Sequence, residues 1–191
     1  MRIGMMADNY KTHVSGLTNY IALLKLCLED AGHEVYIFTF DKVGGIDEQN
    51  KIITTPGLPI TDFYLNFQYN QRAKELLYSM DIVHVHHPFA SGLIAQSYCP
   101  TRNIPIVFTN HTRYDLYTQA YFPVLPEAVV KSGLKTYFSK FYQGCNLVIV
   151  PSASMLRVLV EQFGLNTQAV IIPNGIDLHP FSAEIQPIDR Q

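Results

Sequence analysis

Neither sign of charge dominates this chain. Its 14 Lys and Arg stand against 16 Asp and Glu, a formal net charge of -2 with a pI near 6.4. It therefore has no global basic field of the kind that neutralises many phosphates, and nucleic acid is not an expected partner. Cysteine is scarce too: Cys27, Cys99 and Cys145 are odd in number and have no C-x-x-C spacing. That excludes a disulfide framework and a zinc site of that pattern, and the three read as buried thiols in a reducing cytoplasm. No run approaches the roughly 20 apolar residues that cross a bilayer. Met1 to Met6 enters a strand directly, without the charged start, long apolar centre and cleavage site of a secretory leader. Internal repeats and low-complexity tracts are absent. Gly4 and Gly16 do not form a G-x-G-x-x-G, so Asp41, placed like the ribose-binding acid of NAD proteins, lacks the glycines that would give it meaning.

What is present is a chain of 191 residues, 48% hydrophobic and 16% charged, enough apolar matter for one substantial core. Arg2 to Met6 is a short apolar strand, and Glu34 to Phe40, nearly continuous in apolar residues over Val35 to Phe38, has the mark of a strand buried on both faces. Between them Leu17, Ile21, Leu24 and Leu28 recur at helical spacing up to Gly32, a C-cap glycine. Val43 to Thr61 carries Gly44-Gly45, Pro56-Gly57 and Pro59 and reads mostly as turns, with one short strand at Lys51 to Thr54. Leu65, Tyr69, Ala73, Leu76, Leu77 and Met80 predict a helix over Phe63 to Met80. Strands follow at Asp81 to His86, at Ile104 to Thr109, at Leu147 to Val150 and at Ala169 to Ile172. Helices alternate with them over Phe89 to Tyr98, from Glu127 to Gly144 and over Met155 to Phe163. Alternating strands and helices predict right-handed crossovers and a doubly wound, mostly parallel α/β sheet. The proline-bearing tail from Pro173 to Gln191 reads as a linker leaving a domain of residues 1–172.

Chemistry gathers where the Ile104 to Thr109 strand ends, at Asn110, His111, Thr112, Arg113, Tyr114 and Asp115. Carboxyl ends of strands face the ligand crevice in open α/β sheets, so His111 is the first candidate: an imidazole there can donate a hydrogen bond or carry a proton. Its ordinary reading is a histidine bonded to backbone. Arg113 and Asp115 could contact a ligand or simply pair with each other. His84, His86 and His87 suggest a metal site at first sight. On a strand, however, His84 and His86 share a face while His87 points the other way, and no fourth ligand lies at a diagnostic spacing. His87 is the one of the three expected at the rim of a binding site. The loop Asp8 to Gly16 precedes a helix start, where Ser15 and Gly16 would let backbone N–H groups approach a phosphate. A plain Ser N-cap beside a permissive glycine explains the same residues. The Glu127 to Gln143 helix combines an aromatic face with Lys131 and Lys135, after a loop holding Tyr117, Tyr121 and Phe122. It could lie on an anionic membrane, or it could pack its stripe on the sheet and leave the lysines in water.

Taken in order, the opening strand with Ser15-Gly16, the strand ending Thr109-Asn110-His111, the exit Val150-Pro151-Ser152 and the closing Ile172-Pro173-Asn174-Gly175-Ile176-Asp177 resemble the N-terminal domain of glycosyltransferase family 4. The His111 to Tyr117 run is most similar to the family's bacterial glycolipid branch. The resemblance implies a GT-B fold of two Rossmann-like domains and retaining transfer from a nucleotide-sugar without a required metal or other cofactor. The acceptor would be held by this domain and the donor mainly by a C-terminal domain that the chain lacks. It places Ser15 and Gly16 at the donor diphosphate and His111 at the donor sugar. His87, Arg113, Tyr114 and Asp115 fall in the acceptor region, and Asn174, Gly175 and Asp177 at the hinge to the second domain. The family's first loop usually has a glycine pair, where this chain has Ser15-Gly16. A lipid acceptor such as diacylglycerol, peripheral attachment to the inner face of the membrane and inactivity of this domain alone are the corresponding expectations. A nucleotide-sugar epimerase of the same architecture and a non-enzymatic binding module are the alternatives.

Overall fold

Val35 to Phe40 in the second predicted strand is aromatic or β-branched at every position and leaves no polar face, so this strand can only sit between covering layers. The computed structural model describes residues 1–10, 15–60, 63–114, 116 and 127–178, and it builds such a sheet. Its strands are β1 (Arg2–Met6), β2 (Glu34–Asp41), β3 (Gly45–Asp47), β4 (Ile52–Pro56), β7 (Ile82–Val85), β8 (Ile106–Thr109), β9 (Leu147–Val150) and β10 (Ala169–Ile171). They lie in the order β10-β9-β8-β7-β1-β2-β4-β3, and every pair is parallel except β3 with β4. A separate hairpin pairs β5 (Leu58–Ile60) with β6 (Phe63–Leu65). Among the described residues these helices accompany them: α1 (Gly16–Asp30), α2 (Gln71–Leu77), α3 (Ala90–Tyr98), α4 (Glu127–Gln143) and α5 (Ala153–Phe163).

Strand order reverses at β1, from which the chain first steps to β2 and β4 and later returns to β7 and beyond. A reversal sends right-handed crossovers to the opposite face. The two packed layers follow suit. On one side α1 lays Leu17, Ile21, Leu24 and Leu28 over Ile3, Met5, Val35 and Ile37. On the other, Ala73 and Leu77 of α2, Ile94 and Ala95 of α3, Phe138, Phe141 and Tyr142 of α4, and Leu159 and Phe163 of α5 join Phe38, Val85, Phe108 and Val148 in the larger cluster. Gly92 lets α3 and α4 meet: an added Cβ would stand 2.7 Å from the Phe141 ring and 2.9 Å from the His87 carbonyl oxygen.

Three expectations are corrected. The Val43 to Thr61 stretch is not mostly turns; beside β4, the short strand expected there, it carries β3 and the first strand of the hairpin. Ile52 and Ile53 are buried against β2, and that tertiary pairing outweighs the glycines and prolines around them. The helix expected over Phe63 to Met80 is confined to Gln71–Leu77, because Asn70 caps it by accepting from the Ala73 N–H at 2.9 Å and Phe63–Leu65 is drawn into β6. Cys27 is exposed on α1, whereas Cys99 and Cys145 are buried as expected.

Candidate active site

β7 and β8 run side by side with His84 opposite Val107 and Val85 opposite Phe108. This register aligns His84, His86, Thr109 and His111 on one face, since alternate residues of a strand share a side. It is the face that α1 covers, and Tyr20 of α1 reaches it. The His84 Nε2 and Thr109 Oγ1 atoms are 2.7 Å apart, and burial raises the Tyr20 phenol's pKa, an effect that neighbouring Thr109 partly offsets. His86 Nδ1 and His111 Nε2 are 3.2 Å apart, with ring centroids at 5.5 Å. Tyr20 sets its ring edge-on to His111 at 4.8 Å. Four polar rings and a threonine therefore stand together at the carboxyl edge where the strand order reverses, the position at which open α/β sheets bind ligands.

Burial decides the protonation of this group. His84 is held down to about 4 by desolvation, and His86, only 1% exposed, is pushed well below its ordinary value by desolvation and by the neighbouring imidazoles. His111 falls to about 3, first through desolvation and then through His84 and His87. All three imidazoles are neutral at pH 7, so each ring has one N–H donor and one lone pair. Charge on any of them would be lost solvation without a counterion. No group of three or more His, Cys, Asp or Glu among the described residues is arranged to hold a metal ion.

Ser15 caps α1 through a capping box: its hydroxyl accepts from the Thr18 N–H at 3.2 Å, and the Thr18 hydroxyl accepts from the Ser15 N–H at 2.8 Å. The N-cap reading of this loop is what the structure shows, and the cap satisfies only part of the first turn. Gly16 and Leu17 carry N–H groups that the helix's own carbonyls cannot reach. An added Cβ on Gly16 would find nothing within 4 Å, so the approach to this turn is open. Gly16 lies four residues before Tyr20, on the same helix face. The positive end of α1 is therefore one turn from the ring that touches His111.

The remaining predicted residues are distributed less evenly. His87 turns toward the first loop, where its Nδ1 accepts from the Asp8 N–H at 3.1 Å while Asp8 Oδ1 accepts from the Ser91 N–H at 2.7 Å. It is half-buried at the rim, between the end of β1 and the start of α3. Arg113 is half-buried. Tyr114 packs its ring on Phe138 and Phe89, at 4.9 and 5.5 Å, so it joins the layer on the other side of the sheet from His111. Asp115 lies outside the described residues, as do Tyr117, Tyr121 and Phe122. Asn174, Gly175 and Asp177 follow β10 as exposed, irregular chain. On α4 the aromatic stripe of Phe138, Phe141 and Tyr142 is buried, and Lys131 and Lys135 are exposed, which is the packing reading of that helix.

Sequence reasoning missed Tyr20, whose ring stands edge-on to His111 and His86, and the joining of His86 to His111. The shared face of His84 and His86 was readable from strand alternation. Their proximity to His111 needed the pairing of β7 with β8.

The sheet order and its covering helices make this a Rossmann-like α/β domain, and comparison with known proteins gives its family. Residues 14–179 match Glycosyltransferase Family 4, and the chain belongs to that family. Among its relatives are the alpha-monoglucosyldiacylglycerol synthase of Streptococcus pneumoniae, 32% identical over 188 residues, and that of Acholeplasma laidlawii, 29% identical over 194 residues. Each alignment takes in 95% of this chain but only 42% and 48% of the respective relative. The chain spans somewhat less than half the length of these relatives. Similar folds occur in an alpha-glucosyltransferase solved with UDP-glucose and DNA, with a TM-score of 0.56, 14% identity and coverage of 93% of this chain and 44% of that one. A sucrose-phosphate synthase structure from Thermosynechococcus elongatus gives a TM-score of 0.54, 16% identity and coverage of 95% and 93%.

Proposed function

We propose that this chain is the acceptor-side domain of a retaining glycosyltransferase that moves a sugar from a nucleotide-sugar to a lipid acceptor of the diacylglycerol class. The observation that carries the reading is His111, neutral, held by His86 and Tyr20, and one helical turn from the open N-terminus of α1. In such a reaction negative charge develops on the departing diphosphate. Backbone N–H groups at Gly16 and Leu17, aligned with the helix dipole, are suited to stabilise it. His111 would donate a hydrogen bond to the transferred sugar, because a neutral imidazole with so low a pKa is a poor base at neutral pH. The acceptor hydroxyl would approach from the side of His87 and Arg113. Family membership and the names of the two relatives support both the transferase class and the lipid acceptor.

A second part supplies most of the donor site in this reading, with Asn174, Gly175 and Asp177 beginning the connection to it. The 191 residues alone are accordingly expected to fold without transferring sugar, which incubation with nucleotide-sugar and lipid checks directly. In the whole protein, presented with a panel of nucleotide-sugars and diacylglycerol vesicles, labelled lipid is the expected product. His111→Ala should reduce its rate by about 100-fold or more, with unchanged secondary structure. Near-normal turnover by that variant would remove His111 from the site, and nucleotide-sugar turnover without labelled lipid would redirect the acceptor to soluble molecules. Contact with an anionic membrane would rest on Lys131 and Lys135, since the aromatic side of α4 is occupied by packing.

A further inference from the structure

His86 is the least exposed ring of the cluster, and its second nitrogen is an anomaly. Nε2 is buried without any hydrogen-bond partner, while Nδ1 faces His111 Nε2 at 3.2 Å. Natural folds leave few such atoms, and each calls for a reason. Two arrangements of protons satisfy the close pair. Either His86 donates from Nδ1 and leaves a bare lone pair on its buried Nε2, or His111 donates from Nε2 and His86 buries an unpartnered N–H. Orphaned N–H donors are the rarer and costlier of the two in protein interiors, whereas under-satisfied acceptors are tolerated somewhat better. The first arrangement is favoured.

We propose that His86 is a positioning residue that donates its Nδ1–H to His111 Nε2 and thereby fixes His111 as the Nδ1–H tautomer, with that proton directed to the ligand. The second nitrogen of a histidine acts as its partner dictates. Here the partner is another imidazole instead of the commoner carboxylate or backbone carbonyl. The choice has a chemical consequence. A carboxylate behind His111 would raise its pKa and encourage it to charge; a neutral imidazole leaves it an uncharged donor, suited to a sugar hydroxyl or ring oxygen and unable to form an ion pair with phosphate. Tyr20 completes the restraint by blocking rotation of the His111 ring from the α1 side. The tautomer stands on the geometry alone, while its catalytic meaning rests on the functional reading of His111.

Long-range 1H–15N correlation spectra of the histidine side chains read the proton's position directly. The expected spectrum at pH 7.5 shows His111 and His86 both protonated at Nδ1 and bare at Nε2. In His86→Phe, which keeps a buried ring but loses the donor, His111 should spread between its two tautomers. That variant should also keep or gain thermal stability, because it removes a buried orphan atom, yet lose about 10- to 100-fold in kcat in the whole protein, with KM for the nucleotide-sugar changed by no more than about 3-fold. His86→Asn, whose amide can donate from nearly the same place, should recover most of the loss. A wild-type spectrum with the His111 proton on Nε2 overturns the proposal whether or not any variant folds. So does His86→Phe with an unchanged His111 tautomer or wild-type turnover. If His111→Ala keeps normal turnover while the spectrum is as expected, the functional reading fails and the tautomer assignment stands; the reverse result removes the His86 role and leaves the site intact.

Discussion

At the scale of single residues, the site is made of groups that water would ionise and the fold does not. His84 has a folded pKa of about 4 against an ordinary 6.5, and desolvation is the cause. Below pH 6.5 the unfolded chain therefore takes up a proton that the folded chain refuses, and folding stability must fall as pH drops toward 4. It is fully present above about pH 6.5, and each such histidine contributes a slope of up to about 1.4 kcal/mol per pH unit. The groups facing His84 and its neighbours are Tyr20 from α1, Thr109 and His111 from β8 and His86 from β7, none of which supplies a negative charge at neutral pH. His87 alone has a carboxylate acting on it, that of Asp8. Thermal midpoints measured from pH 7.5 down to 4.5 should fall continuously below 6.5, and His84→Gln should flatten the curve. A midpoint independent of pH across that window would mean the imidazoles are solvated. His111 was legible as a candidate from its place after a buried strand. Its neutrality was not, because the low dielectric around it comes from α1 and β7, which are far away in sequence.

At the scale of elements, close approach and capping set the positions of the site's supports. α3 stands near enough to α4 for Gly92 to touch the Phe141 ring, and the His87 carbonyl occupies the other side. Gly92→Ala should cost about 1 to 3 kcal/mol through overpacking, read as a shift in the denaturant midpoint, since a backbone oxygen cannot move aside as a flexible side chain can. Equal stability of that variant would show that the α3–α4 seam yields. α5 ends at Gly164 with φ at +67°, a C-terminus predicted from the glycine itself. α2 shows the opposite case. Its apolar spacing suggested a helix from Phe63, but the backbone donors of Phe63–Leu65 pair across the hairpin with Leu58–Ile60, and Asn70 fixes the helix start. Periodicity reported which side chains face the core there, and the local hydrogen bonds chose between helix and strand.

At the scale of the whole molecule, two unequal layers flank a sheet whose order reverses beside the site. Phe138 of α4 is fully buried among Tyr114, Tyr142 and Phe163, so Phe138→Ala should cost about 3 to 5 kcal/mol, measured by chemical denaturation. Because that layer lies across the sheet from His111, the residual folded protein should retain the His111 tautomer. The outer side of α4 is where the proposed membrane contact is tested. Reversing Lys131 and Lys135 to glutamate should weaken sedimentation with anionic vesicles, progressively less so as salt rises. Unchanged binding in low salt would return the helix to packing alone.

Strand runs, helix periods, Ser15 as a cap and the glycines after α1 and α5 were written in the sequence, because each depends on residues within one or two turns of one another. So were the parallel α/β class and the family, since both rest on the order of such local signals along the chain. The β3 strand, the hairpin, the exposure of Cys27 and the joining of Tyr20, His86 and His111 were decided by tertiary structure. They depend on which strand lies beside which, and strand pairing is a long-range contact whose register no local pattern contains. The chemistry of the site belongs with these: a histidine can be named from its letter, but its proton is placed by the neighbour that folding brings to it.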